Sequence, residues 1–488
     1  MVCEEFYRHA PPWTGPGDRC ARNEIDAGAA AQVAIMGSAT IVCAITNLFV
    51  AGWQMRRFGP RAALAVQTFF PAVRVCVQGA ALIVGARAGL VIMQLSQLVS
   101  ISGGPAGYIL VLNTIVAEVT EPAARTAMFG MLQGVLMLGV ASGYLVGGIV
   151  ADRFGIRTPF DLAAVSFGVC FVYCVLFVPY VDPKTLSTGD KGTKAKGAAA
   201  WLGPLKVLAP QKLRLEDGRI ANHYGISFLA LGIFTGVLAT GYAQTLIQMY
   251  SMTVFGFGST NNSILMSVGS LIRGIFLMFI FPRIISTGRK WFASSSSPSS
   301  TGKPPESDSA SDSDSAIPTE PRDFDPIPAT VVDQEPGKPP KPVEETAGAG
   351  FDLFFLRWSL LVDGAVTASS AFATQVAFLL PLASGSAPAS KGVLTEMVPA
   401  SRKADAIQAM TLVEYMASFS TLGIFGTIFS SLADIGKSYL TFYCNAAVAI
   451  VGVCILLLSR FPPHGSELVT EELYEHSAVP DEVRGTTE

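Results

Sequence analysis

Apolar stretches of twenty residues or more recur along this chain, and each is long enough to cross ~30 Å of hydrocarbon as a helix. They run near 27–52, 63–86, 88–117, 127–150, 160–180, 223–250, 262–285, 353–371, 373–397, 405–432 and 437–460, eleven in all. Lipid offers no partner for backbone N–H and C=O groups, so each must be a helix that satisfies them internally. A membrane strand needs only about ten alternating residues, and these runs are twice that. The expected fold class is therefore all-α, a polytopic membrane protein with the lipid bilayer as its main partner. Only 15% of the 488 residues are charged, against about 25% in soluble domains, which excludes an ordinary cytosolic enzyme. The net charge of -3 and the scattering of the four histidines, His9, His223, His464 and His476, give no footing for nucleic-acid binding, a metal centre or a cofactor.

Orientation follows from the basic residues, which collect on the cytosolic side of a membrane. Arg56, Arg57 and Arg61, then eight Lys and Arg between 184 and 219, then Arg289 and Lys290, then Arg402 and Lys403 fall on one side, against Arg87, Arg153, Arg157 and Lys437 on the other. The richer side is assigned to the cytosol. This yields an extracellular segment 1–26, an N-terminal bundle 27–180, a cytosolic inter-bundle loop 181–222, a C-terminal bundle 223–460 and a cytosolic tail 461–488. A Ser/Pro/Asp/Glu-rich insert at 294–350 has too few apolar residues to fold and reads as a disordered cytosolic loop. Cys3 and Cys20 would meet oxidising conditions outside and could pair. The other six cysteines lie within the spans and read as small apolar packing.

The two sides of the inter-bundle loop repeat each other. Glu118-Val119-Thr120-Glu121-Pro122-Ala123-Ala124-Arg125 in the first half has a counterpart in Glu396-Met397-Val398-Pro399-Ala400-Ser401-Arg402, and both follow runs of small residues. Phe58-Gly59-Pro60-Arg61 is likewise answered by Ser286-Thr287-Gly288-Arg289-Lys290. In this register the span at 223–250 needs a first-half counterpart before residue 27, where the sequence is too charged to supply one. The expectation is two six-helix bundles with the first helix missing from the chain, leaving eleven.

The span at 127–150 carries Gly130, Gly134, Gly139, Gly143, Gly147 and Gly148, at intervals that line one helix face and let a neighbouring backbone approach. Here the chain resembles the major facilitator superfamily, in the antiporter motif of its fifth helix. Gly130, Gly139, Gly143, Gly147 and Gly148 match that motif, while Tyr144 stands at its Pro position. The cytosolic loop Gly52-Trp53-Gln54-Met55-Arg56-Arg57-Phe58-Gly59-Pro60-Arg61 resembles the superfamily's signature between helices two and three. Gly52, Arg57, Gly59 and Arg61 fit, and Arg56 occupies the usual Asp position. The resemblance implies two six-helix bundles and a proton-coupled, antiporter-like carrier of the fungal drug or metabolite exporter type. It also implies a charge network in the signature loop that favours the outward-open state.

Charge at mid-bilayer is costly unless it is paired or faces water. Arg74, Arg273, Asp363 and Glu414 lie inside spans. Taking a carboxylate out of water favours its protonated form, so Asp363 and Glu414 are the proton-coupling candidates. Arg74 and Arg273 are the candidate charge partners. Polar residues within spans, Asn47, Gln67, Asn113, Tyr242 and Gln244 foremost, are candidates to line a cavity otherwise apolar enough for a small organic molecule.

These features predict secondary active transport by alternating access, a monomer exchanging a small organic substrate against protons, with efflux favoured. Proton-coupled uptake and a non-transporting receptor on the same fold are the alternatives. The plasma membrane is favoured over vacuolar or other internal membranes. No nucleophile elbow or phosphate-binding loop is present to suggest an enzyme.

Overall fold

The computed structural model describes residues 7, 23–178, 203–215, 219–241, 243–257, 259–296, 343–372, 385–399, 402–463 and 467–468. Cys3, Cys20, Tyr242 and most of the 294–350 insert lie outside the described residues. The first bundle contains α1 (Asn23–Phe58), α2 (Pro60–Val84), α3 (Ala86–Leu95), α4 (Pro105–Val119), α5 (Pro122–Phe154) and α6 (Thr158–Phe177). The second contains α7 (Gly225–Thr240), α8 (Ala243–Phe255), α9 (Ser259–Ile275), α10 (Phe281–Ser296), α11 (Val343–Ser369), α12 (Ser386–Met397), α13 (Lys403–Asp434) and α14 (Leu440–Leu458). Nine segments of the described residues are long and apolar enough to cross a membrane.

Several expected spans are built differently from a plain rod. The one at 88–117 is broken: α3 tightens into a 3-10 turn at Ser96–Ile101, and α4 begins only at Pro105. Proline lacks an N–H and is tolerated at a helix's first turn, so Gly104-Pro105 starts a new helix instead of continuing the old one. Of the span at 223–250, the described residues form α7 up to Thr240 and α8 from Ala243. The helix expected to stop at 285 runs on to Ser296, with a π turn at Phe276–Ile280 joining α9 to α10. It persists because α10 is two-faced: Phe281 and Ile285 are buried, whereas Lys290 is exposed. Helix α11 starts at Val343, inside the stretch expected to be disordered, and of the 373–397 span only 385–397 is described.

The connections also hold a little β-structure. Strands β1 (Gln211–Arg214), β2 (Ile220–His223) and β3 (Glu467–Leu468) form an antiparallel sheet in the order β2-β1-β3. It ties the inter-bundle segment to the tail and lies outside the spans. The tight turns between α1, α2 and α3 rest on Gly59 and Gly85, with φ of 87° and 66°, a region that side chains disfavour.

Packing obeys the two-fold that the sequence repeat implies. Helix α2 lies along α6, and its counterpart α11 lies along α14. Across the bundles, α1 meets α13 and α5 meets α9, the two members of one symmetric pair. Apolar cores fill each bundle: Leu48, Leu110 and Phe129 belong to the first, Ile226, Leu360 and Leu456 to the second. Ile407 and Leu412 of α13 join the first bundle's core and so stitch the halves together.

Candidate substrate and proton pathway

The bundles are clamped at the end that carries the basic loops. Arg125 Nη1 lies 3.1 Å from Glu396 Oε1, joining the start of α5 to the end of α12. Arg289 of α10 donates from Nε to Asp352 Oδ1 at 3.0 Å and forms a second contact from Nη2 to Asp352 Oδ2. From Nη1 it reaches the carbonyl oxygens of Pro122 and Ala123 at 3.3 and 2.9 Å, two acceptors in the first turn of α5. Thr126 Oγ1 completes the knot by donating to Asp352 Oδ2 at 2.5 Å. Asp352 is fully buried and the Arg289 side chain is 12% exposed, so this cluster excludes water and its hydrogen bonds are charge-assisted.

The signature loop makes the symmetric contact. Arg56 Nη1 lies 3.4 Å from Asp405 Oδ1 on α13, so the Arg that stands at the family's usual Asp position meets an acid of the other bundle. Gln408 Nε2 donates to Leu48 O at 3.3 Å, and Gly52 leaves room for that glutamine, because a Cβ there would lie 2.5 Å from Gln408 Oε1. Arg61 donates to the Val175 carbonyl and Arg57 is exposed. At the opposite end the same face of α13 is uncovered. Gln408 and Leu412 are buried, but Phe419 and Leu422 are 45% and 42% exposed, and Gly423 has no neighbour within 4 Å of a Cβ. Among the described residues, the contact between α1 and α13 is thus closed at the basic end and α13 is uncovered at the other.

Helices α5 and α9 stay together along their length, and the glycine stripe divides between two environments. A Cβ on Gly130 would lie 2.2 Å from the Phe281 ring, and one on Gly134 would lie 2.9 Å from Met278 N and 3.0 Å from Gly274 O. Gly148 faces Ser263 at 3.4 Å, while Gly139, Gly143 and Gly147 meet nothing within 4 Å. Close packing thus uses Gly130 and Gly134, the latter outside the motif, and not the three central motif glycines. Further along, Ser267 donates to Ala141 O at 2.8 Å and Thr260 to Asp152 Oδ2 at 3.1 Å.

The four charges expected inside spans do not pair as a group. Arg273 and Asp363 interact electrostatically. Glu414 instead meets Lys391 of α12, with Nζ 3.5 Å from Oε2 and side chains only 6% and 17% exposed. Lys391 is a buried cation that sequence reasoning missed, although it lay inside the expected span 373–397. Glu414 stands about 16 Å along α13 from Lys403, near mid-membrane and just above the closed contact at Gln408. Its Oε1 is buried and accepts no hydrogen bond. Arg74 is held elsewhere: its Nη1 donates to Ser100 Oγ at 2.7 Å in the 3-10 turn, its Nε is buried without an acceptor, and among the described residues no ion pair joins it to Glu414.

Two cavity candidates hold the broken span together. Asn47 Nδ2 donates to Gln67 Oε1 and to Ile101 O, both at 3.1 Å. Gly104 N donates to Gln67 Oε1 at 2.8 Å, Gly107 N to Asn47 Oδ1 at 2.7 Å, and Gln54 Nε2 to Ser102 O at 3.0 Å. The amides thereby satisfy backbone groups that the break exposes, a requirement in a membrane interior. Asn113 is buried with Nδ2 unpartnered, and Gln244 is exposed. No group of three or more metal-ligating side chains occurs among the described residues.

The sequence pattern of the Major Facilitator Superfamily matches residues 23–298, more than half of the chain. The protein belongs to that superfamily of membrane transporters, which are not enzymes. It is similar to the multidrug transporter QDR2 of Candida glabrata, with 31% identity over 89 residues, 18% of this chain and 15% of that protein's length. Its fold is similar to the human organic anion transporter MFSD10 (TETRAN), with a TM-score of 0.59 and 13% identity over 86% of this chain and 83% of that one. It is also similar to the E. coli fucose:proton symporter FucP, with a TM-score of 0.55 and 12% identity over 88% and 91%.

Proposed function

We propose that the chain is a proton-coupled carrier of a small organic molecule, working by alternating access with the basic end in the cytosol and efflux as its direction. One observation carries this reading: a carboxylate with an unpartnered oxygen, Glu414, lies mid-membrane directly above a contact that is closed on one side only. Such a group can take up a proton from the open side and release it after the bundles rock. Asp363, held against Arg273, is the second proton-coupling candidate. The glycine stripe and the similarity to a multidrug transporter support export of a drug-like compound from the plasma membrane. The carrier acts as a monomer, since both bundles and the space between them come from one chain.

The test is transport of drug-like dyes in proteoliposomes with an imposed pH gradient. Dye movement against the proton gradient, lost in Glu414→Gln, is expected. Dye accumulation with proton movement in the same direction would replace export by proton-coupled uptake. That second reading is favoured by the Lys391 contact, because a cation beside the proton-carrying acid ties proton entry to arrival of a negative charge.

A further inference from the structure

We propose that Lys391 is the binding site for an anionic group of the substrate, a carboxylate or its equivalent, and that the anion and a proton occupy the Lys391–Glu414 site together. The inference rests on the second reading above, proton-coupled uptake, and adds the substrate class. Lys391 is 5% exposed, and its Nζ, with three N–H donors, has one anionic partner, Glu414 Oε2 at 3.5 Å. That separation is looser than the 2.7–2.9 Å of a close charge-assisted bond, which leaves the ammonium room to change partners. On the far side of the carboxylate, Oε1 is free to take a proton.

Charge balance couples the two events. With Glu414 ionised, the pair is neutral. If a proton alone arrives at Oε1, the ammonium is left unbalanced in a low-dielectric interior; if an anion alone arrives, two negative charges share one cation. When both arrive, the proton goes from the open-side solution to Glu414 Oε1, the Lys391–Glu414 ion pair breaks, and an oxygen of the incoming anion accepts from Nζ, restoring neutrality. Only the empty and the doubly loaded states are free of an unpaired charge.

Among the described residues, the surroundings contain no other group that would take either role. Tyr415 on the same helix is the one further titratable side chain that interacts with Glu414. From the elements packed against α13, Arg56 of α1 meets Asp405 and Glu118 of α4 meets Lys403, at the start of the helix, roughly 13 and 16 Å along it from Glu414. The 3-10 turn Gly203–Leu208 presents Lys206, which is exposed, and α14 contributes Tyr443 and Cys444. Helix α7 carries no acid or base, and α12 contributes Glu396, held by Arg125, in addition to Lys391.

The experiment uses the full chain purified in detergent, with benzoate as the anionic probe and benzamide as its neutral match. Benzoate is expected to stabilise the protein to heat, about tenfold more tightly for each pH unit lowered while Glu414 is ionised in the empty site, with uptake of about one proton per benzoate bound. Benzamide gives no shift. Lys391→Met abolishes the effect, Lys391→Arg retains it, and Glu414→Gln binds benzoate without proton uptake. The double variant Lys391→Met with Glu414→Gln removes both charges, so its folding does not depend on the pair, and it too is silent to benzoate. Absence of any benzoate shift in the native chain, a shift that survives Lys391→Met, or binding by the native chain without proton uptake overturns the proposal. Should the dye-transport experiment show dye and protons moving in the same direction while any of these results is found, the uptake reading stands and the anion site alone is lost.

Discussion

Arg125 and Glu396, 271 residues apart, lie 3.1 Å from each other, and each sits in one copy of the internally repeated segment. The symmetric pair, Glu118 with Lys403, interacts across the same axis. The Arg125 side chain is 5% exposed and that of Glu396 21%, so neither is screened as a surface charge would be. Removing one member of such a pair typically costs ~3–5 kcal/mol, because the other charge stays buried. Arg125→Ala should therefore open the basic end, and maleimide labelling of a Leu412→Cys reporter should rise well above its level in the native background. Exchanging the two charges, Arg125→Glu with Glu396→Arg, should restore protection.

The Arg56–Asp405 pair makes the opposite case. Its side chains are 47% and 45% exposed, and exposed pairs contribute only about 0–1 kcal/mol. Arg56→Ala should leave Leu412→Cys labelling nearly unchanged, whereas Arg289→Ala, which strips the buried Asp352 of its cation, should act as strongly as Arg125→Ala. Equal effects of the two would refute the ranking by burial.

In the glycine stripe the expected sensitivity runs against the motif. Gly134→Ala places a methyl within 3.0 Å of backbone atoms of α9 and its π turn, which cannot swing aside, so the cost should be about 1–3 kcal/mol of stability. Gly143→Ala meets open space and gains helix propensity. Thermal unfolding in detergent should show a lowered midpoint for the first and no loss for the second.

The glycines show which parts of the site were legible in the sequence. Spacing placed them on one face, but which members of the face touch a neighbour depends on how α5 crosses α9, and no local pattern encodes that. Span existence was readable because length and hydropathy are properties of the segment itself. The break at Ser102-Gly103-Gly104-Pro105 was visible as a run of small residues, yet its repair by Asn47 and Gln67 involves residues dozens of positions away. The same holds for Arg56, whose departure from the family pattern was plain while its compensation, Asp405, lies 349 residues on. Lys391 could have been found: it lies within an expected span, and a lysine there needs a partner.

His223 gives the sheet at the bundle margin a pH dependence. Burial lowers its pKa below the ordinary histidine value, against opposing hydrogen bonds with the backbone of Phe461 and Arg460. The folded state thus favours neutral imidazole, and the unfolded chain binds the proton more readily. Stability from this residue is fully present above the unfolded value near 6.5 and is lost as pH falls through that value toward the folded one. Thermal midpoints of the native chain should fall between pH 7 and pH 5, and His223→Gln should flatten that part of the profile; an unchanged slope would refute the assignment.

Leu205 bears on the cytosolic closure from outside the bundles. It lies in the short 3-10 turn Gly203–Leu208, which packs on α13, and it touches the apolar cores of both halves, while its neighbours Val207 and Leu208 belong to the second core alone. A side chain wedged between two bodies contributes only while both are in place, so its burial stabilises the closed arrangement over one in which the basic end parts. Leu205→Ala should weaken closure by about 1–2 kcal/mol, less than a fully buried leucine because this one is partly exposed. Labelling of Leu412→Cys should increase with little change in the thermal midpoint, since either bundle's own core is untouched. Val207→Ala, anchored in the second core alone, should lower the midpoint without raising the labelling.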